Sequence, residues 1–123
     1  MSVRDQLPVA ISDCHQLLGW LIPQLDQFPR VRRFTLGEKL EKVLLEVLEH
    51  LLDAAYQRPA QKGLVLQQAN RKLALARHLW RLGFELKSCP FKAYHHGAEQ
   101  MVALGRQIGG WQKSVGRGTE AHA

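Results

Sequence analysis

Four blocks of apolar residues at helical spacing constrain the fold of this chain most strongly, since no run of alternating apolar and polar residues predicts a strand. The first block lies within residues 17–25, and further stripes recur over about 36–55, 64–86 and 91–111. Short turns join the blocks, which predicts an all-α fold, an antiparallel up-down-up-down four-helix bundle. The first block consists of Leu17, Leu18, Leu21, Ile22 and Leu25.

Prolines and polar residues predict where the first two helices end and begin. Pro23 lies inside the first stripe, and because the periodicity continues past it we expect one helix, bent near Gly19. Pro29 then ends that helix. Thr35 and Glu38 have the spacing of a capping box, so the second helix is expected to begin just after Thr35.

The later boundaries follow from the same kind of signal. Pro59 and Gly63 mark the turn before the third helix. Ser88 is a candidate N-cap for the fourth helix. Gly97 and Gly105 lie on the inner stripe of that helix, where a missing side chain lets another helix approach closely, at a cost of about 1 kcal/mol each in helix propensity.

The length of 123 residues is that of one domain. The fourth helix is expected to end near Trp111, so residues 1–112 form the bundle domain, with residues 1–7 frayed. Residues 113–123 carry basic residues, glycines and no apolar pattern, which predicts a disordered basic tail.

Motifs for catalysis or cofactor binding are missing from the sequence. There is no phosphate-binding glycine loop, no GxSxG and no HExxH. A di-metal bundle would need ExxH pairs, but His50 follows Val47 at that spacing. Cys14 and Cys89 lie far apart, and free thiols are expected. We therefore expect no enzyme activity, no metal and no cofactor.

No stretch has the pattern of a signal peptide, and charges interrupt every apolar run before it could span a membrane. The expected location is the cytoplasm.

Charge is distributed unevenly along the chain. Residues 1–59 hold seven Lys and Arg against eight Asp and Glu, a net charge of −1, whereas residues 60–123 hold ten against three, a net charge of +7. The sequence pI is near 9.8. A basic half favours polyanionic partners, either nucleic acid or an acidic protein surface.

The basic residues spread widely around their helices, so one copy would present a diffuse positive surface, which self-assembly would multiply. Trp80, Phe84, Tyr94 and Trp111 could stack on bases, although their place on or beside the apolar stripes favours the core. A basic loop is predicted between the first two helices and contains Arg30, Arg32 and Arg33. The nucleic-acid-binding candidates are Arg30, Arg32, Arg33, Arg71, Lys72, Lys87, Lys92, Arg106 and Lys113.

Arg77 and Arg81 stand out within the apolar segment LALARHLWRLGF, residues 73–84. Their four-residue spacing places both on one helix face, and only Glu85 offers an in-helix partner. This edge either is merely solvated or contacts an acidic or carbonyl-rich partner.

Four segments carry a resemblance to a known family: WLIPQLDQFPR, RFTLGEKLE, ANRKLALARHLWRL and ALGRQIGGW. With them the chain resembles the accessory variability determinant proteins of diversity-generating retroelements. These belong to a wider group of four-helix-bundle proteins that includes the 23S rRNA intervening-sequence proteins. The family pattern is richer in aromatics between the paired arginines than the His78, Leu79 and Trp80 of this chain.

The resemblance implies a non-catalytic subunit that forms a pentameric barrel and binds the retroelement's reverse transcriptase together with RNA or DNA. That assembly supports mutagenic retrohoming, in which an RNA template is copied with errors into a target gene. The family's arginine pair for reverse-transcriptase contact matches Arg77 and Arg81. Two alternatives stay open: a structural bundle of the intervening-sequence type without a polymerase partner, and a small metal-dependent enzyme.

Overall fold

The computed structural model describes the backbone of residues 8–122 and the side chains of residues 8–116. Helix α1 spans Val9–Asp26. Helix α2 has three consecutive parts, an α-helical turn Arg30–Arg32, a π-helical turn Arg33–Gly37 and a long α-helix Glu38–Tyr56. Helix α3 spans Pro59–Glu85, and α4 spans Phe91–His122. The backbone described contains no strand, so the predicted all-helical fold is confirmed.

Each helix packs against two neighbours. Helix α3 contacts α2 on one side and α4 on the other, and α1 closes the ring against α2 and α4. The predicted apolar stripes meet in one core, which includes Leu21 of α1, Leu44 of α2, Leu73 and Trp80 of α3 and Met101 of α4. Burial of each such side chain contributes about 1.5–3 kcal/mol. The packing is that of a four-helix bundle.

Every helix begins at or next to a proline. Pro8 precedes α1, Pro29 precedes α2, Pro59 is the first residue of α3, and Pro90 precedes α4. Proline suits this place because the first amides of a helix have no intrahelical acceptor and its fixed φ is helical. Pro23 lies inside α1, which continues through it as predicted, while the expected bend stays a prediction.

The predicted start of the second helix is wrong. Helix α2 begins at Arg30, directly after Pro29, and the predicted basic loop lies within its first turns. The Thr35 hydroxyl donates backward to the carbonyl of Val31, at 3.0 Å, instead of capping an amide ahead of it. The apparent capping box therefore lies inside a helix that has already begun.

The predicted turn before the third helix is wrong as well. Pro59 and Gly63 are both helical, since proline fits the first turn and one glycine costs only about 1 kcal/mol. Ser88 does not cap α4: its amide donates to the carbonyl of Gly83 at 2.8 Å, closing the end of α3. Lys87, with φ of 62°, occupies the left-handed position of this Schellman motif.

Helix α4 does not end near Trp111 but continues to His122. One physical reason is Val115, which packs against the core a full turn beyond Trp111. The division into a domain of residues 1–112 and a tail of residues 113–123 stays a prediction, and the expected fraying of residues 1–7 falls outside the described residues.

The two glycines on the inner stripe of α4 differ. A Cβ at Gly97 would lie 2.6 Å from Nε1 and 2.9 Å from Cε2 of Trp80, so the predicted close approach of a neighbouring helix is confirmed there. At Gly105 the nearest atom, Cδ2 of Leu73, would be 3.6 Å away, an ordinary contact. None of the described helices has both the length and the apolar character needed to cross a bilayer.

Candidate partner-binding groove

A groove runs along the surface between α3 and α4. It consists of two adjoining depressions of about 290 and 410 Å³, and Ala74 and Arg77 line both of them. We call it the arginine groove, because Arg71, Arg77 and Arg81 all line it from α3. Its other lining residues are Gln67, Asn70, Leu73, His78, Trp80, Tyr94, Ala98, Met101, Val102, Gly105 and Gln112.

The geometry of α3 explains why the arginines lie here. Ala76 and Trp80 face the core, and Arg77 and Arg81 each follow one of them. A step of one residue turns the side chain by about 100°, so both guanidinium groups lie at the edge of the buried stripe. The predicted shared face is confirmed, since both arginines line the same 290 Å³ depression.

The charges in the groove are weakly neutralised. Arg77 is exposed and makes no ion pair with any residue between 8 and 116. The Nε atom of Arg81 lies 3.7 Å from Oε2 of Glu85, but these side chains are 64% and 52% exposed. Exposed pairs of this kind contribute between zero and about 1 kcal/mol, so Arg81 remains available to an external anion.

A buried aromatic residue supports the groove from below. Trp80 is fully buried, and its Nε1–H donates to the carbonyl of Tyr94 at 2.8 Å. Tyr94 in turn stacks on Phe84, with ring centroids 4.6 Å apart. Trp80 is thus a core residue that joins α3 to α4 and presents no face to a base, whereas Phe84, Tyr94 and Trp111 are half-buried.

Sequence reasoning missed the polar amide side chains that line the groove together with the arginines. Gln67 and Asn70 line the groove on α3, and Gln112 lines it on α4. The signal was present in the sequence, because the polar positions 67, 70, 77 and 81, with the small Ala74 between them, recur at steps of three and four residues. That spacing predicts a second, polar stripe beside the apolar one.

The structure separates the predicted nucleic-acid candidates into paired and unpaired cations. Nζ of Lys72 lies 2.5 Å from Oε2 of Glu46, which ties α3 to α2 and, mainly through this hydrogen bond, lowers the pKa of Glu46. Nη2 of Arg33 lies 3.2 Å from Oδ1 of Asp26, with which it forms an ion pair. Arg32 is half-buried. The remaining candidates are exposed and without an ion pair inside the described region: Arg30, Arg71, Lys87, Lys92, Arg106 and Lys113.

Two of these cations extend the groove on α4. Arg106 and Lys113 directly follow Gly105 and Gln112, which line it, and the seven-residue step between them spans two turns of one face. They therefore stand at the outer rim of the groove. Guanidinium and ammonium groups arranged along a polar groove bind carboxylates, carbonyl oxygens or phosphates.

Groups suited to covalent or metal chemistry do not gather in the described part of the chain. No three His, Cys, Asp or Glu side chains converge there on a possible metal position. Both cysteines are free. Desolvation by burial raises the pKa of the Cys14 thiol to about 12 and also raises the pKa of Cys89, so neither is a ready nucleophile near neutral pH.

The sequence model of the bAvd-like family matches residues 9–115, which include all four helices and the arginine groove. The chain belongs to the bAvd-like family. The family is that of the bacterial accessory variability determinants, so the resemblance identified in the sequence is confirmed. It is a non-catalytic accessory family. No curated protein matches this bAvd-like chain.

Proposed function

We propose that this bAvd-like protein is a non-catalytic accessory subunit of a diversity-generating retroelement. It binds the reverse transcriptase of the element together with its template RNA or cDNA, and so supports mutagenic retrohoming. The observation that carries the proposal is the arginine groove inside the family match, where Arg77 and Arg81 lie on one exposed edge.

The arginine groove suits a protein partner. Ala74, Ala98 and Gly105 have little or no side chain, so a partner segment can approach the helix backbones. Arg77 and Arg81 then meet carboxylates or carbonyl oxygens of that segment. We assign this contact to the reverse transcriptase.

Nucleic acid is the second ligand. The net charge of +6 and the exposed, unpaired cations supply contacts to phosphates. Such contacts are largely independent of sequence and weaken as salt displaces them. The candidates that are not neutralised by a carboxylate, such as Lys87 and Arg106, carry most of this binding.

Self-assembly, with a pentamer as the expected size, is supported by the outward side of α2 and α3. Its apolar residues are 38–77% exposed and follow one helical face on each helix. Glu49 on α2 and Arg71 on α3 lie among them, so the α2 side of one copy complements the α3 side of the next. This apolar face consists of Leu45, Leu52, Tyr56, Leu64, Leu75, Leu82 and Leu86.

Charge reversal tests the assignment of the groove. The double variant Arg77→Glu/Arg81→Glu should bind the purified reverse transcriptase at least about 30-fold more weakly, since interfacial charge pairs are worth about 2 kcal/mol or more. The matched control Lys39→Glu/Lys42→Glu makes the same charge change on exposed positions of α2.

Light scattering establishes that both double variants keep the wild-type assembly. If the groove variant binds the polymerase with wild-type affinity, the groove is not the polymerase contact and the proposed function loses its main support.

A further inference from the structure

Another depression, of about 650 Å³, lies at the end of the bundle where α3 turns into α4. The end of α1, the end of α3 and the start of α4 all contribute walls to it. We call it the end pocket, and the residues that matter here are Gln27, Pro29, Phe84, Lys87, Ser88 and Phe91. It is separate from the arginine groove, with which it shares no lining residue.

One wall of the end pocket is an exposed aromatic ring. Phe91 is 63% exposed, although it belongs to an aromatic cluster. Its centroid lies 5.9 Å from that of Phe84 at an angle of 61°, and 5.7 Å from the imidazole of His95 at 18°. The neighbouring rings hold Phe91 in place, so a planar ligand that stacks on it immobilises little additional side chain.

One unpaired cation lines the pocket, and two more directly follow lining residues in the chain. Lys87 lines the pocket, Arg30 directly follows the lining residue Pro29, and Lys92 directly follows Phe91. All three are exposed and form no ion pair with residues 8–116. The one carboxylate in the lining, Glu85, lies near Arg81. An aromatic face with these cations beside it matches a base and its flanking phosphates.

Two local features single out the same place. The Schellman motif holds the Lys87 backbone at a φ of 62°, which fixes where its side chain leaves the chain. Ser88 is 5% exposed, and its hydroxyl has no hydrogen-bond partner in the described residues. Buried hydroxyl groups are normally paired, so this one is an unused donor and acceptor in the pocket wall.

We propose that the end pocket binds an unpaired nucleobase of single-stranded nucleic acid. Phe91 stacks on the base, while Lys87, Arg30 and Lys92 hold the adjacent phosphates. This inference rests on the proposed nucleic-acid binding and adds to it a requirement for an unpaired strand. Phosphates occur in single strands and in duplexes, so phosphate contacts alone do not require an unpaired strand. A stacking contact does require one, because the bases of a duplex are already stacked on one another.

The test uses the full-length protein, a short unpaired RNA and a duplex of the same sequence as probes. Phe91→Ala should weaken binding of the unpaired RNA about tenfold, within the range for loss of one base–aromatic stack, and change duplex binding less than about twofold. A 2-aminopurine base in the unpaired RNA should be quenched by the wild type and not by Phe91→Ala.

Phe34→Ala is the matched control. Phe34 is 60% exposed and lies near a cation, with the guanidinium carbon of Arg33 at 5.4 Å from its ring centroid. Its depression, however, also contains Asp26, Glu38 and Glu41. These carboxylates repel phosphates, so Phe34→Ala should leave both affinities within about twofold of the wild type. Phe91→Leu, which keeps the apolar contact without an aromatic face, replaces Phe91→Ala if the latter loses its helical circular dichroism.

The outcomes separate the two proposals. Salt-dependent RNA binding that Phe91→Ala leaves unchanged overturns the end pocket and preserves the proposed function. A tenfold loss that is equal for unpaired RNA and duplex also overturns base stacking. If Phe91→Ala releases the reverse transcriptase and leaves RNA affinity intact, the pocket is a protein-docking site and the nucleobase inference is wrong. The absence of any RNA binding by the wild type overturns both.

Discussion

The close contact between Gly97 and Trp80 gives a sharp test of how the bundle is packed. A methyl group at Gly97 would lie 2.6 Å from Nε1 and 2.9 Å from Cε2 of Trp80, and 3.1 Å from Cζ3 of Trp20. Trp80 cannot easily move aside, because it is fully buried and its indole N–H donates to the carbonyl of Tyr94 at 2.8 Å. Gly97→Ala should therefore destabilise the protein although alanine is the better helix former.

The magnitude follows from three opposing contributions. Alanine gains about 1 kcal/mol in helix propensity over glycine. Overpacking a filled core costs about 1–3 kcal/mol, and displacing the Trp80 indole from its hydrogen bond costs a further 1 kcal/mol or so. The expected net loss in the free energy of unfolding is about 1–3 kcal/mol.

Gly105→Ala is the matched substitution on the same helix stripe. The new methyl group would be 3.6 Å from Cδ2 of Leu73 and 3.7 Å from Oδ1 of Asn70, both ordinary contacts. Only the gain in helix propensity remains, so the free energy of unfolding of this variant should rise by about 0.5–1 kcal/mol. Urea unfolding followed by far-UV circular dichroism, at one fixed protein concentration, measures both. A Gly97→Ala variant as stable as the wild type, or an equal loss of stability in the two variants, would refute the close packing of Gly97 on Trp80.

Three further predictions follow from single residues. Lys87→Gly should raise the free energy of unfolding by about 0.5–1 kcal/mol in the same urea assay, because glycine adopts the φ of 62° without strain; a loss would contradict this. In the native protein, Ellman's reagent should modify the half-buried Cys89 before the fully buried Cys14, because burial raises the pKa of the Cys14 thiol to about 12. Equal rates of modification would contradict this difference in burial. The hydrogen bond from Lys72 lowers the pKa of Glu46 below its usual 4.5. The pair therefore stabilises the fold above that pH, and this stabilisation is lost as the pH falls through the lowered pKa. Acid should reduce the urea midpoint of the wild type more than that of Glu46→Gln.

Helical periodicity was sufficient to predict the fold class and the side of each helix that enters the core, because burial of apolar residues dominates both. It was not sufficient for helix ends. The Thr35 pattern predicts a helix start where none exists, because a capping box and an internal threonine look alike in sequence. Pro29, Pro59 and Pro90 were the better indicators, since proline is tolerated where the first amides need no acceptor.

The candidate site was predictable in part. The four-residue step placed Arg77 and Arg81 on one face without knowledge of the fold. The loss of Lys72 from the set of free cations was not predictable, because its partner Glu46 comes from another helix. The setting of Phe91 was hidden for the same reason: its edge-on contact with Phe84 forms only after α3 and α4 have packed together.

We propose that this protein acts by presenting positively charged helical surfaces to a polymerase and its template. The most direct test is the affinity of the purified protein for the reverse transcriptase and for template RNA, each measured over a series of salt concentrations. We expect binding to both at low salt, with the logarithm of the RNA binding constant falling linearly as the logarithm of the salt concentration rises. Absence of binding at low salt, or an RNA affinity that does not change with salt, would contradict it.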